Sequence, residues 1–134
     1  MIGVSLHTLL IHFPITLAIV ACGYDVWALY ARQPRLHSVG SGLIRLAALA
    51  AVAASATGLN LAGMSGLGSS SAVTGHAGMA VLATLVLAVT AILRYSRDVR
   101  AGDSGLAPPP AFVLAEGIGV VLVVGATIMG HRIS

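Results

Sequence analysis

Met64-Ser65-Gly66-Leu67-Gly68-Ser69-Ser70-Ser71-Ala72-Val73-Thr74-Gly75 lies inside a longer run, Leu46 to Leu93, that contains no Asp, Glu, Lys or Arg. One helix needs ~20 apolar residues to cross a bilayer, and this run is far too long for one. Glycine and serine in the quoted segment break the run, and Thr74 is placed to cap the helix that follows. The run is therefore two membrane spans, about 43–64 and 75–95.

Working outward, a first span covers about 6–30 and a last one about 111–130. The connections between them are polar. Ala31 to Ser41 carries Arg32, Pro34, Arg35 and His37, while Arg94, Arg97, Asp98, Arg100 and Asp103 open a third connection that Pro108 to Pro110 closes. Four apolar segments with short connections predict an all-α integral membrane protein, a single four-helix up-and-down bundle over residues 1–134. Composition agrees. Of the 134 residues 57% are hydrophobic and 8% charged, where soluble domains carry about a quarter charged.

The formal charge of +3 comes from seven arginines and no lysine. These arginines form no run interleaved with aromatics, which argues against nucleic acid as a partner and leaves lipid as the expected environment. Connections one and three share a side and hold Arg32, Arg35, Arg94, Arg97 and Arg100, against Arg132 alone on the other. The basic excess predicts cytoplasmic connections and both termini periplasmic, in a multi-pass protein of a bacterial inner membrane. Cys22 is the single cysteine, so no disulfide forms within the chain, and mid-helix it is expected to be a packing residue. The first span has no basic segment before it and exceeds a signal-peptide core, so it is expected to be retained. Tyr24, Trp27 and Tyr30 gather at its far end as an interfacial anchor, and Pro14 predicts a kink. Span two is dense in alanine, which lets neighbouring helices approach closely.

The topology brings His7, His12, His76 and His131 to the periplasmic side, with His37 solvated on the other. Imidazole inside hydrocarbon is costly and belongs in a bundle interior or against a cofactor. His7 and His12 differ by about 140° around one helix and ~7.5 Å along it, so they do not share one iron. His12 is the deeper, and spans one and three lie diagonally, which points to His12 with His76 as axial ligands of a b-type haem. Small residues around His76 would admit a porphyrin edge. Arg132 would meet a propionate, and His7 and His131 would bond to propionates or form a second pair. A zinc or copper ion is the competing occupant, although such sites usually add cysteine, carboxylate or methionine. Met64 and Met79 are methionines on that side. Interfacial histidines that hold nothing, and a His12 bonded to a backbone carbonyl, are the plain alternatives.

Asp25, Arg45 and Glu116 lie near the opposite boundary on spans one, two and four. Charges in low dielectric pair, and Asp25 with Arg45 is the economical pair, with a structural role expected and a proton or quinone path the alternative. No catalytic constellation is present.

His12-Phe13-Pro14-Ile15, preceded by His7 and followed by Asp25, resembles the opening of the DUF2231 family of small predicted membrane proteins. Its members typically begin His-Pro-x-x-x-His-Phe-Pro-Ile, and Thr8 stands here in place of the proline. Gly75-His76-Ala77 and Gly130-His131 are similar to the family's third-helix and closing histidines. The resemblance implies a four-span fold and a set of histidines, and it names neither ligand nor activity. The expected functions are therefore three. One is an electron-transfer protein whose haem serves a periplasmic or membrane redox partner. The others are a cofactor-free subunit of a larger membrane complex, and a copper or zinc binding or transport protein.

Overall fold

A computed structural model describes residues 2–65, 70–103 and 107–133, with side chains over 6–63, 70–103 and 107–132. Four helices make up nearly all of it: α1 (Ile2–Ala31), α2 (Pro34–Ser65), α3 (Ser71–Ala101) and α4 (Pro110–Ile133). Each contains a stretch long and apolar enough to cross a membrane, at Leu6–Ala31, Pro34–Gly63, Ser71–Ala101 and Pro110–Arg132. The all-α bundle expected from the sequence is the fold observed. Packing follows ring order, α1 on α2, α2 on α3, α3 on α4 and α4 on α1. Helices α1 and α3 thus face each other diagonally. The ends of the bundle differ in kind: both chain termini lie at one, the terminal end, and the first and third connections lie at the other, the loop end.

The helices extend further toward the loop end than hydropathy alone suggests. With 30, 32 and 31 residues, α1 to α3 are each about 45 Å long, against an apolar bilayer core of ~30 Å. The expected connection from Ala31 to Ser41 shrinks to a corner at Arg32 and Gln33. Arg32 takes a left-handed backbone (φ 52°), and Pro34 starts α2 where a missing N–H costs nothing. His37 and Ser41 therefore stand on a helix, which corrects the reading of His37 as a loop residue.

At the far end of α3, Gly102 (φ 65°) closes the helix. Its N–H donates to Val99 O and that of Asp103 to Asp98 O, both at 3.2 Å. That pair of bonds is a Schellman stop, which needs the left-handed glycine. Arg94, Arg97, Asp98 and Arg100 are thereby helical and not part of a connection. The start of α3 is also corrected. Ser70, not Thr74, is the cap, its hydroxyl accepting from Val73 N–H at 3.2 Å. Thr74 falls in the first turn and donates its hydroxyl to Ser70 O. At Pro14, α1 continues unbroken.

Small side chains fill the interior. Ala18, Ala21, Ala47, Ala51, Ala83 and Ala91 pack with Ile44, Leu87 and Val123. Large ones such as Leu49, Ile92, Leu114 and Val121 point outward. Such an arrangement suits lipid. Hydrocarbon tails solvate leucine as well as another leucine does, so association rests on close contact and interhelical hydrogen bonds. Ser55 and Thr84 supply one such bond between α2 and α3 at 2.7 Å. Cys22 is half-buried beside an open apolar groove between α1 and α4, lined also by Trp27 and Tyr30.

Candidate functional site

Polar side chains collect at both ends of the bundle. At the terminal end, His7 on α1 turns inward and its Nδ1 meets Thr57 Oγ1 of α2 at 3.0 Å. The Thr57 hydroxyl has one hydrogen, already directed to the carbonyls of Ala53 and Ala54. With that hydrogen on a carbonyl, the hydroxyl accepts from His7 Nδ1–H, the tautomer that leaves the lone pair of the neutral ring on Nε2. His76 on α3 makes a parallel arrangement. Its Nδ1 lies 2.7 Å from Ala126 O of α4, and since a carbonyl only accepts, the lone pair is again on Nε2.

Both rings rest on glycine. A Cβ on Gly58 would come within 2.9 Å of the His7 ring, and one on Gly130 within 2.8 Å of the His76 ring. The two imidazoles stand on the diagonal helices α1 and α3. His12 does not join them. It is exposed, and its Nδ1–H is donated to Thr8 O of its own helix at 2.6 Å. His131 and Arg132 are exposed on the last turn of α4. Met79 packs against Gly125, and the side chain of Met64 lies outside the described residues.

This donor set fits one cofactor better than another. Among the described residues no three of His, Cys, Asp and Glu gather to hold a metal ion, whereas zinc takes three or four protein ligands. Haem iron needs two axial ligands at most from the protein, and imidazole is a common one. A ligating histidine usually donates its other nitrogen to a carbonyl or similar acceptor, which fixes the tautomer. His7 and His76 each meet that condition.

The loop end holds a buried ionic network. Arg94 of α3 is 1% exposed and Asp25 of α1 and Glu116 of α4 are both 0% exposed. The guanidinium grips Asp25 through two bonds, Nη1 to Oδ2 and Nη2 to Oδ1, the latter at 2.8 Å. The same Nη1 donates to Glu116 Oε1 at 2.7 Å, and Nη2 to the backbone oxygen of His37 at 2.8 Å. His37 of α2, 3% exposed, donates Nδ1–H to Asp25 Oδ1 at 2.8 Å. All four helices thus contribute one residue. Gly40 makes room, since a Cβ there would lie 2.7 Å from Asp25 Oδ2. Beside this network, Ser41 of α2 donates to Asp98 Oδ2 of α3 at 2.5 Å.

The cation paired with Asp25 is thus Arg94 and not Arg45. Arg45 is only half-buried, donates Nε–H to Ser41 O at 3.1 Å, and lays its guanidinium 5.4 Å from the centre of the Tyr95 ring. Asp25 and Glu116 do share one network, as the sequence suggests. His37 and Arg94 were missed there, although their positions carry a signal. Ala83, Leu87, Thr90, Ala91, Arg94 and Asp98 form one buried stripe along α3, and His37, Gly40, Ser41, Ile44 and Ala48 do the same on α2. Helical periodicity carried past the last apolar residue would have found both.

No curated protein and no solved structure matches the chain. Residues 3–133, nearly its whole length, match the model of the family described as predicted membrane protein DUF2231. The chain belongs to that family.

Proposed function

We propose that this membrane protein transfers electrons through a b-type haem at the terminal end, with His7 and His76 as the residues that would hold it. The observation that carries the proposal is the matched pair of imidazoles on diagonal helices, each held through Nδ1 by a neighbouring helix. Bound there, the haem would supply a one-electron couple. The chain's own part is to fix both rings, through Thr57 and Ala126, and to seat them against Gly58 and Gly130. His12, which the sequence favours by depth, serves this role poorly because it faces outward. His131 and Arg132 stand at the rim, where they suit propionates.

The same proposal gives the orientation. Arg32, Arg35, Arg97 and Arg100 lie at the loop end and Arg132 at the terminal end. A basic excess on the cytoplasmic side then puts the haem near the periplasmic face of a bacterial inner membrane, within reach of a periplasmic or membrane redox partner.

An absorption spectrum of detergent-purified protein, made with an adequate haem supply, tests this. A low-spin bis-imidazole spectrum is expected. It should become high-spin or vanish in His7→Ala and in His76→Ala, and persist in His12→Ala. A low-spin spectrum that depends on His12 and survives His7→Ala refutes the pair. Colourless protein with stoichiometric copper or zinc indicates an ion site instead, and colourless protein without metal indicates a cofactor-free subunit of a larger complex.

A further inference from the structure

Two carboxyl groups and one guanidinium meet at the loop end with essentially no exposure. Counted as ionised, Asp25 and Glu116 bring two negative charges against the one positive charge of Arg94. His37 does not close the gap in its neutral form, since the Nδ1–H it donates to Asp25 is present in the uncharged ring. A net negative charge left in such a site carries a heavy desolvation cost.

Geometry indicates where the balance is restored. Arg94 Nη1 donates to both carboxyls, Asp25 Oδ2 and Glu116 Oε1. It holds the two carboxyls side by side against one nitrogen. Two bare carboxylates at that separation repel, and one proton between them turns the contact into a bond. Glu116 also keeps a second oxygen, Oε2, that is buried without a partner. A buried carboxylate with an orphaned oxygen is costly, and a carboxylic acid in the same place is far less so. The groups facing Glu116 are Asp25 and Cys22 on α1 and Arg94 on α3, and His37 on α2 reaches the pair through Asp25.

We propose that Asp25 and Glu116 form a proton-binding pair that holds one exchangeable proton between them, balanced by Arg94. The ligand is a single proton, and the loop end is a place where the protein loads and releases it. The inference does not rest on haem binding at the other end.

Infrared spectroscopy of the wild-type protein at neutral pH reads the pair directly. A carbonyl stretch of a protonated carboxyl group, amounting to one per chain, is expected, moving to lower frequency in D2O. Glu116→Gln should abolish it. Asp25→Asn should abolish it too, because the remaining carboxyl then has Arg94 to itself and ionises. Asp98→Asn, which removes the neighbouring carboxylate outside the pair, should leave it unchanged. No such band in the wild type would place the proton on His37 or nowhere, and would overturn the proposal. A band that persists in Glu116→Gln, or that fails to shift in D2O, overturns it as well. The wild-type spectrum decides the matter even where Asp25→Asn does not fold.

Discussion

Replacing Arg94 by glutamine tests how much of the fold hangs on the loop-end network. The guanidinium is buried and makes four hydrogen bonds, three of them to carboxylate oxygens and one to the His37 carbonyl. Hydrogen bonds to charged groups are each worth ~1.5–3 kcal/mol, but four bonds of one group do not add. The better guide is the cost of truncating one member of a buried ion pair, about 3–5 kcal/mol, most of it from the unpaired charge left behind. Against a typical total of ~5–15 kcal/mol, R94Q should bring the protein close to the edge of folding. Reversible unfolding in mixed micelles of increasing denaturing detergent measures the loss, with Arg35→Gln as an exposed control expected within ~0.5 kcal/mol of wild type. The informative variant adds Asp25→Asn and Glu116→Gln to R94Q. With the guanidinium and both carboxyl groups gone, the triple variant should recover a large part of the single loss. A cost below ~1 kcal/mol for R94Q, or a triple variant equal to the sum of three independent losses, would refute the coupling.

Two further outcomes follow from local geometry and from the charge asymmetry. Gly40→Ala places a methyl 2.7 Å from an oxygen of the Asp25 carboxylate and should cost ~1–3 kcal/mol through overpacking; Gly42→Ala, with nothing within 4 Å, should be neutral or gain up to ~1 kcal/mol of helix propensity in the same unfolding assay. For the orientation, a chain with Cys22→Ala and Ser70→Cys should label in intact cells, and one with Cys22→Ala and Gln33→Cys only after permeabilisation; the reverse pattern overturns the assignment of the terminal end to the periplasm.

Hydropathy was enough to place four helices in order, because membrane spans need long apolar runs and glycine-serine or proline-rich breaks between them. It misjudged where helices stop. Polar residues at His37, Ser41, Arg94 and Asp98 look like connection when judged by transfer energy, yet they are helical because a helix hides its own backbone and lets those side chains satisfy one another. Pro34 and Gly102 carry the true boundaries, one as a helix start and the other as a left-handed stop. The same error explains the wrong partner for Asp25. Arg45 is near in depth, but Arg94 lies on the buried stripe, and only the phase of α3 distinguishes them. Depth alone also favoured His12 over His7. The proposed pair takes His7 instead, on the face of the helix, since His12 is exposed and His7 has Thr57 and Gly58 against it.

The two polar sites act independently, and that follows from their separation. His7 and Asp25 stand on the same helix, and the 18 positions between them correspond to ~27 Å at 1.5 Å per residue. The interior between is built from Ala18, Ala47, Ala83 and Leu87, with the Ser55–Thr84 bond crossing it. A unit charge gained at one end would be felt at the other by about 0.6 kcal/mol at an effective dielectric of 20. That is less than a factor of three in an equilibrium, so neither site sets the state of the other by charge alone. Strong coupling would need a moving element, and the bundle offers poor material for one. Its helices touch through alanine, where a shift of one neighbour soon meets backbone. The proposed haem site at the terminal end and the proposed proton pair at the loop end would therefore be separable, each removable by substitutions that leave the other in place.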